Sequence, residues 1–190
     1  MEIEPNEEVN APDKSEVGFW STEKIVSFSA VLISIGTLVV LIYQTNLMSQ
    51  QQRLSVLPYL TLGNMGAFTP AYKYIVFNNG IGPAFLEKVE VKYKGKVYPY
   101  DLYVFLAEHV EGFDEIQNIY YSNIAAGSLI PAQTNVELLI IDDSLADADK
   151  LYTMLERLFD EGMSFEITYS SIYGEKWVVK SGEVKPVKID

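Results

Sequence analysis

No charged residue lies between Lys24 and Arg53. The inner part of that stretch, residues 25–42, reads IVSFSAVLISIGTLVVLI and is apolar apart from small hydroxyls. About 20 such residues, rising roughly 1.5 Å each, span a hydrocarbon core of roughly 30 Å. A chain carrying this run is therefore expected to place one helix across a membrane, with a folded domain behind it. Pro58 supplies a stop, because the residue before proline avoids the helical region. We accordingly expect a transmembrane helix plus stalk over residues 22–56, the stalk being the polar QTNLMSQQQRLS of residues 44–55. A cleavable signal peptide needs a basic start, a shorter apolar core and a small-residue cleavage site. The start here is acidic and YQTN at 43–46 offers no such site, so the segment is expected to stay attached.

Residues 1–21 are rich in Glu, Asn, Asp and Pro, too polar to bury a core, and read as a disordered acidic tail. Phe19 and Trp20 precede the span and Tyr43 lies near its far end, matching the aromatic belts of a bilayer. Ser27, Ala30, Ser34, Thr37, Leu41 and Gln44 follow alternating steps of three and four along the helix. Such a seam lets two helices approach closely, so homodimerisation within the membrane is one reading. The commoner alternative is that the hydroxyls bond back to their own helix. Orientation stays open: Lys14 and Lys24 before the span against Arg53 behind it is too small a bias for the positive-inside rule.

Residues 57–190 are long enough for one hydrophobic core. Of the whole chain's 13 Tyr and 9 Phe, most fall here, and aromatic residues suit pleated, half-buried surfaces. Strands are expected at 58–62, 72–77, 85–93, 97–100, 136–141, 165–169 and 176–180. Between the second and third, NNGIGP at 78–83 breaks the chain, with glycine for positive φ and proline to end pairing. Along 85–93, Val89, Val91 and Tyr93 alternate with Lys88, Glu90 and Lys92, and Lys94-Gly95 makes a tight hairpin turn. Short helices are expected at 101–112, capped by Asp101, and at 145–159, capped by Ser144 or Asp143. Residues 113–129 read as a loop with a helical turn. The fold class is mainly β: an N-terminal transmembrane α-helix followed by an Ig-like antiparallel β-sandwich with one or two short accessory helices.

YQTN at 43–46, VLPY at 56–59, NNGIGPA at 78–84 and YSSIYGEKW at 169–177 form a recognisable series. With it the chain resembles uncharacterised bacterial single-pass membrane proteins that have one N-terminal transmembrane helix and a C-terminal immunoglobulin-like domain. The resemblance covers roughly residues 25–180. It implies an anchor in a bacterial inner membrane and a fold, and it carries no activity or catalytic residue to transfer.

The formal charge is −12, which repels phosphate backbones, so no nucleic-acid partner is expected. With no cysteine there is no disulfide, thiolate nucleophile or Cys-based metal site. His109 is the only histidine and lacks a partner motif. Asp142, Asp143, Asp147 and Asp149 lack the glycine and closing glutamate of a calcium loop and suit the amino end of a helix better. Gly80 and Gly82 are followed by Pro83 and a strand, which contradicts a dinucleotide loop. Tyr98, Tyr100, Tyr103, Tyr120 and Tyr121 could line an interaction surface, although such residues more often fill a core. The expectation is a non-enzymatic binding module without cofactor, anchored in the bilayer, with a protein or peptide partner. The alternatives are a ligand sensor acting through helix association and, more weakly, a metal-dependent hydrolase built on His109 and the Asp142–Asp149 group.

Overall fold

The computed structural model describes residues 21–189, so the acidic tail, Phe19 and Trp20 lie outside the described residues. Helix α1, Thr22–Leu54, is 33 residues long and none of them is buried. It is long and apolar enough to cross a membrane. The chain divides into two units, the break falling between Ser49 and Gln50.

The second unit is built on two antiparallel sheets. The first has the order β1 (Leu60–Met65), β2 (Lys73–Asn78), β7 (Asn135–Ile141), β5 (Ile119–Tyr121). The second runs β10 (Val187–Ile189), β9 (Lys176–Lys180), β8 (Ser164–Ser170), β3 (Ala84–Tyr93), β4 (Lys96–Tyr98), and β6 (Leu129–Ile130) also pairs with β3. Their apolar residues join one core: Leu60, Val76 and Leu139 from the first sheet, Leu86, Phe165 and Ile167 from the second. Each such side chain, fully withdrawn from water, contributes about 1.5–3 kcal/mol.

Local chemistry explains most of the boundaries. Lys94 and Gly95 take φ of 49° and 75°, the left-handed pair that a two-residue hairpin turn requires. Asp101 caps α2 (Leu102–His109) by accepting from the Val104 N–H at 2.9 Å. Helix α2 ends before Gly112, which instead takes φ 83° and starts a 3-10 turn, Phe113–Glu115. Ser144 caps α3 (Leu145–Asp160), accepting from the Asp147 N–H at 3.3 Å. The stretch expected as loop between 113 and 129 holds strand β5, and strand β10 was not expected at all.

The two sheets are joined at one end by Asn78, whose side chain is fully buried. Its Oδ1 accepts from the Tyr59 N–H at 3.1 Å and the Gly80 N–H at 3.0 Å. Its Nδ2 donates to the carbonyls of Gly82, Ile130 and Pro131 at 2.9, 3.2 and 3.1 Å. The reason for glycine here differs from the expected one. Neither Gly80 nor Gly82 adopts positive φ. A Cβ on Gly80 would instead lie 2.3 Å from the Leu57 carbonyl oxygen, and one on Gly82 1.7 Å from that of Val56. The glycines let residues 56–59, just after α1, lie flat against the β2–β3 loop, where the Ile81 N–H donates to Leu57 at 3.1 Å.

Strand directions give this unit two distinct ends. The entry end gathers the start of β1, the end of β2 and the starts of β3 and β7, since Leu60 pairs with Asn78, Phe77 with Asn135 and Phe85 with Ser170. The far end gathers Met65, Lys73, Tyr93, Ile141 and Ser164, from which α2, the 3-10 turn and α3 extend.

Candidate functional site

The far end concentrates both the aromatic residues and the charge. From Asp101 to Glu161 there are 13 acidic and 2 basic residues, a formal charge of −11. The two bases pair within the segment, Lys150 with Glu115 at 3.3 Å and Arg157 with Glu161 at 4.0 Å, all of them solvated, and from outside it Lys73 meets Glu137 at 2.6 Å. A cleft of about 370 Å3 opens there, lined by Glu111, Glu115, Asp149, Lys150, Thr153 and Arg157.

The five tyrosines split into two groups on either side of α2. Tyr103, in the first turn of α2, stacks face to face on Tyr121 of β5, with ring centroids 3.5 Å apart and planes 8° from parallel. Phe113 meets Tyr103 edge-on at 5.7 Å. Tyr121 stays 45% exposed and its neighbour Tyr120 is 63% exposed. Successive strand residues normally point to opposite faces. Both are open because β5 is a three-residue edge strand paired only with β7. The second group is Tyr98, Tyr100 and His109. His109 stacks on Phe105 at 5.5 Å and 5°, with Tyr98 edge-on at 4.6 Å and Tyr100 at 6.2 Å. Its imidazole is thus part of an aromatic cluster.

Of the aspartates expected at the amino end of α3, Asp147 has structural partners. Asp147 accepts from Asn118 at 2.8 Å and from the Ser144 hydroxyl at 2.9 Å, and these bonds, Asn118 first, hold its carboxyl below the usual range. Asp142 and Asp143 are exposed, and Asp143 takes φ 58° at the turn into the helix. Among the described residues, no three His, Asp or Glu side chains are grouped so as to hold a metal ion.

On α1, Ser27, Ala30, Ser34, Thr37, Leu41 and Gln44 are all exposed. The Ser34 hydroxyl donates to the Ala30 carbonyl at 2.8 Å and Thr37 to Ile33 at 2.8 Å, so these two hydroxyls are spent within the helix.

One arrangement escaped the sequence. Glu90 and Glu166 face each other across β3 and β8, and both are buried, although they lie on the sheet face opposite the core. Like charges directly opposed are destabilising. Lysines offset this: Lys92 reaches Glu166 at 2.7 Å and Glu90 at 3.4 Å, while Lys88 reaches Glu90 at 2.5 Å. The contact with Glu166 also raises the affinity of Lys92 for its proton. The alternation of 88–92 placed Glu90 on the correct face; its burial beside Glu166 and the two lysines is a property of the strand pairing.

No family model, no curated protein and no solved structure matches this chain.

Proposed function

We propose that the chain is a single-pass, non-enzymatic binding module of a bacterial inner membrane. In this reading the two sheets form an immunoglobulin-like sandwich, and its far end takes a protein or peptide partner. The observation that carries the proposal is the stacked Tyr103–Tyr121 pair beside open Tyr120, set in a segment of formal charge −11. Tyrosine supplies large contact area at little cost in ordering. Rings in an acidic field favour lysine and arginine side chains, by cation–π contact and by electrostatic steering. The partner we infer is therefore a cationic segment containing exposed Lys or Arg.

The reading is tested with a photo-crosslinking benzoylphenylalanine in place of Tyr120, in membranes of the source cell. A discrete adduct is expected, weakened several-fold by Tyr121→Ala and competed away by a lysine-rich peptide. Equal labelling from the same probe at Val187, 49% exposed on β10, would end the proposal.

A further inference from the structure

The entry end of the β unit has a different surface. Ile81 is 59% exposed in the β2–β3 loop and Ile172 is 61% exposed in the β8–β9 loop. Tyr173 follows at 48%, with the Arg53 guanidinium 5.9 Å above its ring. Phe85 and Leu129, paired across β3 and β6, are 41% and 50% exposed. These side chains are held around the point where the chain enters the unit: Ile81 bonds through its N–H to Leu57, and Tyr173 meets Arg53.

Charge is sparse and paired here: Glu87 and Lys176, beside the Phe85–Ser170 pairing, meet at 2.6 Å. Residues 122–136 and 79–83 contain no ionisable acid or base. Glu175, in the β8–β9 loop, is neutralised by Lys188 at 3.5 Å. Glu87 and Glu175 are thus each paired with a lysine, and the unpaired carboxylates gather around α2 and α3.

The length of the uncharged run says what covers this surface. Residues 25–52 are 28 consecutive uncharged residues, all within α1. Along a helix they extend about 42 Å. That exceeds the hydrocarbon core and equals the roughly 40–45 Å of a whole bilayer with its headgroup layers. Arg53, the first charge after the run, then falls at the outer edge of the headgroups, where arginine and tyrosine are favoured.

We propose that the entry end of the β unit, through Ile81, Ile172, Tyr173, Phe85 and Leu129, lies in the headgroup layer of the bilayer that α1 crosses. Two of its loops make it a membrane-contact surface. The far end then faces away from the membrane. The proposal rests on α1 spanning the bilayer, and the test separates the two claims.

The chain has no cysteine, so single nitroxide labels can be placed without altering a native thiol. Full-length Val40→Cys, Ile81→Cys, Ile172→Cys and Tyr120→Cys variants, each labelled and set in phosphatidylcholine–phosphatidylglycerol nanodiscs, are compared by oxygen and nickel-chelate relaxation. The label at 40 reports the anchor. We expect labels at 81 and 172 to show an oxygen-to-nickel ratio several-fold above that at 120, and below that at 40. Equal ratios at 81, 172 and 120 would overturn the contact while leaving the anchor standing. Spin–spin broadening at 172 that vanishes on dilution with unlabelled protein would overturn it in favour of a second copy. Free nickel access at 40 would overturn the anchor and this inference together.

Discussion

Asn78→Ala is expected to destabilise the β unit by about 3–5 kcal/mol, among the largest single-residue effects available to it. The side chain is fully buried and satisfies five backbone groups: two N–H donors, of Tyr59 and Gly80, and three carbonyls, of Gly82, Ile130 and Pro131. Removing it leaves buried donors and acceptors with no water to take its place. Asn78→Asp separates this from a cavity effect. It nearly preserves volume and keeps the acceptor facing Tyr59 and Gly80, yet sets a carboxylate against three carbonyl oxygens, so it should be about as damaging. Gly82→Ala attacks the same joint by steric exclusion, since its Cβ would fall 1.7 Å from the Val56 carbonyl oxygen. Residues 56–59 would have to lift away. Urea unfolding of detergent-solubilised protein reads all three variants. For Gly82→Ala, faster tryptic cleavage at Arg53 reports the detached segment directly. Urea midpoints equal to the wild type would show that the joint does not hold the sheets together.

Raising the pH should unfold the unit sharply above pH 10. Tyr72, Tyr74 and Tyr169 are 1%, 4% and 0% exposed. Burial disfavours the phenolate, which pushes Tyr169 up to about 12 and the other two higher still. In the unfolded chain all three ionise near pH 10. Above that pH the unfolded state releases protons that the folded state retains, so stability falls as pH rises; below it their contribution is intact. Between pH 10 and 12 each buried tyrosine costs roughly 2 kcal/mol, so the three together remove a large share of an ordinary domain's stability. Absorbance at 295 nm and far-ultraviolet circular dichroism, followed together, check this. The absorbance step that belongs to Tyr72, Tyr74 and Tyr169 should appear only as the β signal is lost. Ionisation of Tyr72, Tyr74 and Tyr169 near pH 10 without structural change would contradict it.

What could be read in the sequence was what local chemistry decides. The charge-free run of α1, the Lys94-Gly95 turn, the Asp101 and Ser144 caps and the long strands all carry their cause within a few residues. The three-residue strands β5 and β10 do not, because so short a segment is defined by its neighbour in the sheet. Ile119, Tyr120 and Tyr121 between Asn118 and Ser122 were a strand signal, too short to stand without β7. Glycine at 80 and 82 announced a special backbone, but its reason lay 23 to 26 residues away at Leu57 and Val56. The burial of Glu90 likewise depended on a partner strand 76 residues on. Of the candidate surface, the tyrosines were visible as residue types. Their division into a Tyr103–Tyr121 stack and a Tyr98–His109 cluster is a property of the packing around α2.

Both ends of the β unit have their proposed roles only if α1 crosses a membrane, so the fate of residues 25–42 is the central matter. Full-length protein made without detergent in the presence of liposomes, floated on a density gradient and washed in alkaline carbonate, measures it most directly. The account predicts that the chain floats with the lipid and resists the wash, and that deletion of residues 25–42 leaves it at the bottom of the gradient. A full-length chain that stays in the aqueous fraction, soluble and monodisperse, would contradict it.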